Sequence, residues 1–544
     1  MLTYKNTNYD TAENETWLDV CARNNLAGVL AVRVGGLTQN LHTPCRGNAV
    51  ALTYEDDEGR AVYERSAIFL FLMAVEALIP GTRVRVENSL GGGVFITFRG
   101  AAPGAALLKR LEEEMRRLSG EALPFTLSVL SKDDAKALFE ANGRPDVAQV
   151  LTWRQSDTFR VFECGGIRDY FYGEMAADTS AVGVFSLKAA EGGLVLLLPD
   201  AANPVRPAAY TPMTKLLDAF RESNGWQRIL NVENACDLNT LIENGGFREF
   251  IRVNEALMDM RINRIAEEIV KRRSRLVLIA GPSSSGKTTF TNRLRIALRV
   301  QGLKPVQLSM DNYYLDADKC PLDAEGKPDF ECPESLDIPL MNKQLSQMLK
   351  GRSVDMPVFD FGTHARSEQV QKVTLDADSP LLMEGIHGLN DSITRSIPAS
   401  KKFKIYISAL TNLNLDDHNR IRSTDARLVR RLVRDAAFRG TPVEKTLEMW
   451  SSVRRGEDSY IYPYQETADV IINSALVYEL PIMKKYIYDK LLAVTPDKPY
   501  YDSARRIVKF LNYLSSADCE DEIPLNSLLR EFVGGSCFYR EEEG

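Results

Sequence analysis

At 544 residues the chain is longer than one hydrophobic core supports, which predicts two to four domains. Hydrophobic residues make up 44% and charged residues 26%, the balance of a globular protein, and no apolar run approaches the roughly 18 residues that span a bilayer. A formal net charge of −7 gives little support to non-specific nucleic-acid binding, and eight dispersed cysteines without C-x-x-C spacing predict free thiols in a cytoplasmic protein.

The opening stretch MLTYKNTNYD lacks a basic segment followed by an apolar one, so no secretory signal is expected. Up to about residue 240, short β-like runs dominate: Leu30–Val34, Val94–Phe98, Phe159–Glu163, Val182–Leu187 and Leu194–Leu198. Glycine pairs punctuate them, and helical patterns at Ser66–Leu78 and Ala105–Leu118 lie between them. This half therefore predicts α+β modules over residues 1–55 and 56–235. A charged helical pattern from Asn239 to Arg273 suits a connector over 236–274. From residue 275 to 490 strand, loop and helix alternate, with apolar runs Leu276–Ala280, Pro305–Leu308, Pro380–Met383, Phe403–Ile407 and Val470–Ile472. Such runs suit buried parallel strands, so the fold expected is a multidomain chain with an α/β P-loop domain built on about five parallel strands. Residues 491–544 read as a helical tail ending in acidic residues.

Gly281-Pro282-Ser283-Ser284-Ser285-Gly286-Lys287-Thr288-Thr289 fits G-x-x-x-x-G-K-T, between the strand Arg275–Ala280 and an amphipathic helix at Thr289–Arg299. The glycines let backbone N–H groups curl around phosphates, and the helix N-terminus adds its dipole. Lys287 is expected at the β- and γ-phosphates and Thr288 on Mg²⁺, whereas a bland turn would need neither. The loop implies a nucleoside triphosphate, ATP or GTP, with Mg²⁺. Asp311 and Glu384 each end an apolar run, so both should project from the carboxyl edge of the sheet, where the second metal-side group is needed. Alone, either acid would equally suit a turn or a helix cap. Arg427, Arg430, Arg431 and Arg434 share one helical face and Arg439-Gly440 ends the element, the pattern of a cationic lid over a transferring phosphoryl group. A solvated basic face or an RNA contact is the alternative.

These segments resemble the uridine–cytidine kinase family, related to phosphoribulokinase. The likeness runs over about residues 274–480 and includes Ser309–Tyr314, Pro357–Arg366, Glu384-Gly385-Ile386, Arg430–Asp435 and Ala468–Ile472. It implies that Asp311 is the base for an acceptor hydroxyl and that Glu384 supports Mg²⁺. It further implies that Tyr314, His364 and Arg366 line a nucleoside pocket, and that Arg431, Arg434 and Arg439 belong to the lid. Three positions depart from the family pattern: Phe359 stands for Tyr, Glu331 for a sugar-binding Asp and Met449 for a Gln that meets the pyrimidine. Losing two hydrogen-bonding groups predicts a shifted or relaxed base preference.

Residues 15–55 resemble a TGS domain, and 56–200 the second additional domain of threonyl-tRNA synthetase, through Tyr63–Ser66, Cys164-Gly165-Gly166 and Phe171-Tyr172-Gly173. Arg65, Phe69, Phe171 and Met175 stand where that domain's editing residues are expected, so no editing centre or metal site is expected here. RNA binding by this half stays open without support from charge, and self-association is compatible with the composition. Three functions compete: a nucleoside kinase, a kinase for another small polyol, and a non-catalytic ATP-gated module binding RNA or protein.

Overall fold

Five short runs, three of them buried and two at the edges partly so, form the sheet that carries the phosphate loop. In the computed structural model, which describes residues 1–154, 156–323, 326–360 and 362–539, they are Val306–Ser309, Leu381–Glu384, Leu276–Ala280, Lys402–Ser408 and Val470–Asn473, in that spatial order. Phe361 of the Pro357–Arg366 motif and the acidic C-terminal run lie outside the described residues. Every pairing in this sheet is parallel, and Leu276–Ala280 lies at its centre with all five residues buried. Helices cover both faces, which is why these strands are largely apolar, with Gln307, Lys402 and Lys404 among the exceptions. The register sets Glu384 opposite both Ile279 and Ser309, so three strands end at one edge with the loop and both acids. The expected five-stranded parallel architecture is present.

Before this sheet the chain forms smaller layers. The strands within residues 2–52 make a mixed five-stranded sheet around Leu2, Trp17 and Val32, and its helix Trp17–Arg23 begins in a capping box on Thr16. A four-stranded antiparallel sheet orders Ser186–Ala190, Gly193–Leu197, Gly93–Phe98 and Val84–Leu90. The helix Asp57–Leu78 packs against its core and starts well before the expected Ser66, because polar residues preceding the apolar run still extend the helix. Two further expectations are corrected. Val182 is no strand residue: it follows the 3₁₀ turn Thr179–Ala181 as a core plug, and the strand begins at Ser186. The connector is two helices, Ala235–Glu243 and Phe247–Arg272, broken at Gly245, whose φ of 76° is open to glycine at little cost. None of the helices among the described residues is long and apolar enough to cross a membrane.

The front half is bolted to the α/β part by buried charge. Arg144 pairs with Asp146 (2.9 Å) and Asp169 (3.0 Å) beside it and with Asp416 (3.2 Å) across the contact. Arg85 meets Asp417 at 3.1 Å with both side chains buried, and the Asp417 backbone carbonyl accepts from the Val86 N–H. Tyr170 Oη donates to Asp416 at 2.6 Å. The C-terminal helix Tyr501–Leu511 closes the arrangement: Asp502 accepts from Thr38 and Arg506 pairs with both Glu58 and Asp425.

Removing one member of a buried pair strands its partner, at a cost of about 3–5 kcal/mol. Asp417→Ala should therefore lower the thermal midpoint of the α/β part as well as the front half in calorimetry. An unchanged α/β transition beside a lowered front-half transition would mean that the contact is not stabilising.

Candidate active site

The phosphate loop leaves the central strand at Gly281, where an added Cβ would stand 1.9 Å from the Ile407 carbonyl oxygen, so only glycine fits. Ser284 and Gly286 take left-handed conformations, and the helix Lys287–Val300 follows. Lys287 Nζ donates to the Gly281 and Pro282 carbonyls at 2.9 and 3.1 Å, folding back over the loop. Thr288 Oγ1 donates to Glu384 Oε1 at 3.2 Å. The hydroxyls of Ser284 and Ser285 are buried without a hydrogen-bond partner among the described residues. Two orphaned donors in a glycine-rich cradle fit a bound anion.

Asp311 is the second residue of the 3₁₀ turn Met310–Tyr313, whose Ser309 cap accepts from its N–H. Gly385 permits the turn to lie against the sheet, since a Cβ there would meet Met310 Cβ at 2.6 Å. Burial pushes the Glu384 carboxyl up to about 7, the Asp311 charge adds to this, and Lys287 opposes it. Desolvation likewise raises Asp311, against the pull of Lys287 and Arg439. Desolvation lowers Lys287 while Glu384 and Asp311 raise it. Thr288, Glu384 and Asp311 form a hard oxygen set of the kind Mg²⁺ takes, and the crowded carboxyls fit a cation between them.

The helix Ser423–Phe438 does not present its four arginines as one solvated face, the alternative to the lid, and two of them are not placed for a lid. Arg427 and Arg430 turn fully inward. Arg427 pairs with Glu457 and donates to the Ser283 carbonyl at 3.1 Å, and Arg430 pairs with Glu479 and donates to the Ser284 carbonyl at 3.3 Å. Arg431 reaches Ser283 Oγ at 3.0 Å. Arg431, Arg434 and Arg439 all converge on buried Asp435, at 3.2, 2.9 and 3.8 Å.

On the acceptor side Tyr314, Phe359 and Phe330 form an aromatic cluster, with centroids 5.5, 5.6 and 6.3 Å apart, and the exposed His364 ring stacks on Phe330 at 5.6 Å. Arg366 spends its donors on the Tyr313 and Tyr314 carbonyls and on Asp337, clamping the hairpin Val354–Asp360/Ala365–Val373 to the Asp311 turn. Met449 is 41% exposed on the helix Val443–Tyr460. Glu331 sits against Gly456, and burial raises it to about 7, with Arg431 opposing. Three participants escaped sequence reasoning: Phe330, Asp435 as the hub of three arginines, and Glu457, which also accepts from the Ser283 N–H at 3.2 Å. Phe330 adjoins Glu331 and could have been found by that adjacency; Glu457 has no local signal.

In the front half, Phe69 and Phe171 pack at 6.2 Å, Met175 is fully buried, and Arg65 Nε donates to the Glu174 carbonyl. These positions hold packing groups and a tethered cation.

A phosphate loop, two acids at neighbouring strand ends and arginines against the loop define a P-loop phosphotransferase. The chain belongs to the phosphoribulokinase / uridine kinase family, whose pattern matches residues 276–480. The uridine kinase of Deinococcus deserti is 32% identical over 195 residues, covering 36% of this chain and 84% of that protein. The uridine kinase of Ligilactobacillus salivarius is 29% identical over 198 residues, covering 36% and 84%. Among solved structures, the D-glycerate 3-kinase of Cryptococcus neoformans is similar at 16% identity and a TM-score of 0.27, covering 38% of this chain and 87% of that one.

A carboxyl group raised on folding holds extra protons in the folded state between its ordinary 4.5 and about 7, so stability falls as pH rises through that window. Glu331→Gln should therefore raise the thermal midpoint more at pH 8 than at pH 5. An equal gain at both pH values would show that Glu331 is not held up.

Proposed function

We propose that the protein transfers the γ-phosphoryl group of ATP to the sugar hydroxyl of a nucleoside, with Asp311 as base and Mg²⁺ held by Thr288, Glu384 and Asp311. The observation that carries this reading is the meeting of Thr288 with Glu384 at 3.2 Å on the sheet edge that also bears Asp311. Mg²⁺ would neutralise charge on the β- and γ-phosphates. Loop N–H groups and the Ser284 and Ser285 hydroxyls hold the phosphates, and Lys287 leaves its loop carbonyls for them. Asp311 takes the proton of the acceptor hydroxyl as its oxygen bonds to the γ-phosphorus and the bond to the β-bridging oxygen breaks. Arg431, Arg434 and Arg439 stabilise the charge on the transferring group. An acceptor-side carboxylate supports catalysis over a purely ATP-gated module, which has no use for one.

The front half reads as a TGS-like module over 1–55 and an editing-domain-like module over 56–235 without its editing residues. Its role is to brace the kinase part.

Lys287→Ala should lose both nucleotide affinity and turnover. Asp311→Asn should keep nucleotide affinity and lose turnover by about 10²–10⁴-fold. Calorimetric binding alongside coupled ADP release separates the two, and wild-type turnover in Asp311→Asn would remove the base assignment.

Base reading rests on the aromatic cluster. A buried hydrogen bond not made is worth about 1–3 kcal/mol, so replacing a tyrosine by Phe359 would lower discrimination by roughly ten- to a hundredfold. Phe359→Tyr should shift kcat/KM towards uridine or cytidine over adenosine and guanosine. A strong uridine preference in the unaltered protein would contradict this, and inactivity with every nucleoside would favour a different polyol.

A further inference from the structure

The chain's last described residues lie on the phosphate loop, outside the segment that the family pattern covers. Leu528, Leu529 and Phe532 are fully buried in the kinase core, and the Phe532 ring lies 5.0 Å from the Arg430 guanidinium. Ser527 Oγ donates to buried Glu255. Leu528 rests on the loop itself, 3.5 Å from where a Cβ on Gly286 would stand. From this anchorage Glu531 reaches into the site, where its Oε2 accepts from Thr289 Oγ1 at 2.8 Å. Gly534 and Gly535, at φ 93° and 69°, turn the chain back past Phe438, and the Cys537 N–H closes the loop on the Leu525 carbonyl. Tyr539 Oη then lies 3.4 Å from the same Thr289 hydroxyl.

Thr289 directly follows the phosphate-loop motif and sits in the first turn of its helix, where backbone N–H groups and the helix dipole favour an anion. Glu531 brings a carboxylate to this place. It has no ion-pair partner among the described residues, yet its charge lies in the field of Lys287 and Arg439. A nucleoside triphosphate and this carboxylate cannot share the position without strong like-charge repulsion, since both would be screened only by the same few cations. The apolar anchors hold the segment without Glu531, so that bond is not needed to keep the segment folded.

We propose that residues 527–539 form an autoinhibitory strap over the nucleotide site, in which Glu531 occupies Thr289 in place of a nucleotide phosphate and yields it when nucleotide enters. The inference rests on the loop binding nucleotide as proposed above. Nucleotide affinity then carries the cost of displacing the strap, as any ligand does when its competent state is a fraction of the population.

The test is calorimetric binding of Mg²⁺ and a non-hydrolysable ATP analogue to the full chain, to Glu531→Gln and to a chain ending at residue 533, which keeps Phe532 and removes Tyr539. Glu531→Gln should bind about tenfold tighter than the full chain, within the usual range of couplings between states, and the shortened chain, which keeps Glu531 on Thr289, should gain less than Glu531→Gln. Hydrogen exchange at residues 530–539 of the unaltered protein should quicken when the analogue is added. Unchanged or weaker binding by Glu531→Gln, with the unaltered protein binding normally, would overturn the strap and leave the kinase reading intact. Weaker binding would instead make Glu531 part of the nucleotide site. Exchange that slows at 530–539 also overturns the strap, and absence of binding by all three proteins overturns both readings.

Discussion

Two buried arginines hold the phosphate loop in shape. A loop that aims its N–H groups at a ligand turns its carbonyls the other way, into the protein, where each needs a donor. Arg427 and Arg430 supply donors to the Ser283 and Ser284 carbonyls from the core side. A bare guanidinium could not remain there, so each is neutralised, Arg427 by Glu457 and Arg430 by Glu479. Glu457 also accepts from the Ser283 N–H, so one carboxylate fixes both the arginine and the loop. The loop, the helix Ser423–Phe438 and the helices bearing the two glutamates thereby become one rigid element. Closure over the phosphoryl group is left to the outer arginines, Arg431, Arg434 and Arg439.

The same element passes its rigidity to the front half. The segment leading into the arginine helix carries Asp416 and Asp417, which are buried among Arg144, Arg85 and Tyr170. Asp425, in the first turn of that helix, pairs with Arg506, which also holds Glu58. A displacement of the front half would therefore pull on the helix that fixes the loop. Buried ion pairs of this kind contribute little net stability but tolerate few alternative arrangements, which suits a contact that has to keep a fixed geometry.

The phosphate loop, Asp311 and Glu384 were legible because their signals are local: a glycine pattern between a strand and a helix, and an acid at the end of an apolar run. The five strands were legible for the same reason. The inward turn of Arg427 and Arg430 was not, since a helical face of arginines looks identical whether it meets water or carboxylates. Their partners lie 30 and 49 residues further on, beyond any periodicity. Arg366 reads as a pocket residue in the motif, yet its donors serve backbone carbonyls that only the folded hairpin brings near. The place of the helix Arg530–Val533 and of the residues before it was illegible for a further reason: nothing local in the apolar residues of 523–533 tells what they anchor against.

The electrostatics of the site follow from these pairings. Each cation near the loop is already engaged: Lys287 by two carbonyls, and Arg431, Arg434 and Arg439 by Asp435. Burial raises Glu384 and Glu331 both to about 7, and neighbouring acids, Asp311 beside Glu384 and Glu457 beside Glu331, add to the rise. A polyanion entering with its metal offers the cations phosphate oxygens and offers the acids a positive charge, so both halves of the internal balance relax together. Neither component alone does this, because phosphate without the metal adds to the crowding of Glu384 and Asp311, and the metal without phosphate leaves the arginines on Asp435. Nucleotide and metal are therefore coupled by the charge layout of the site, and the coupling is strongest where desolvation leaves the least water to screen it.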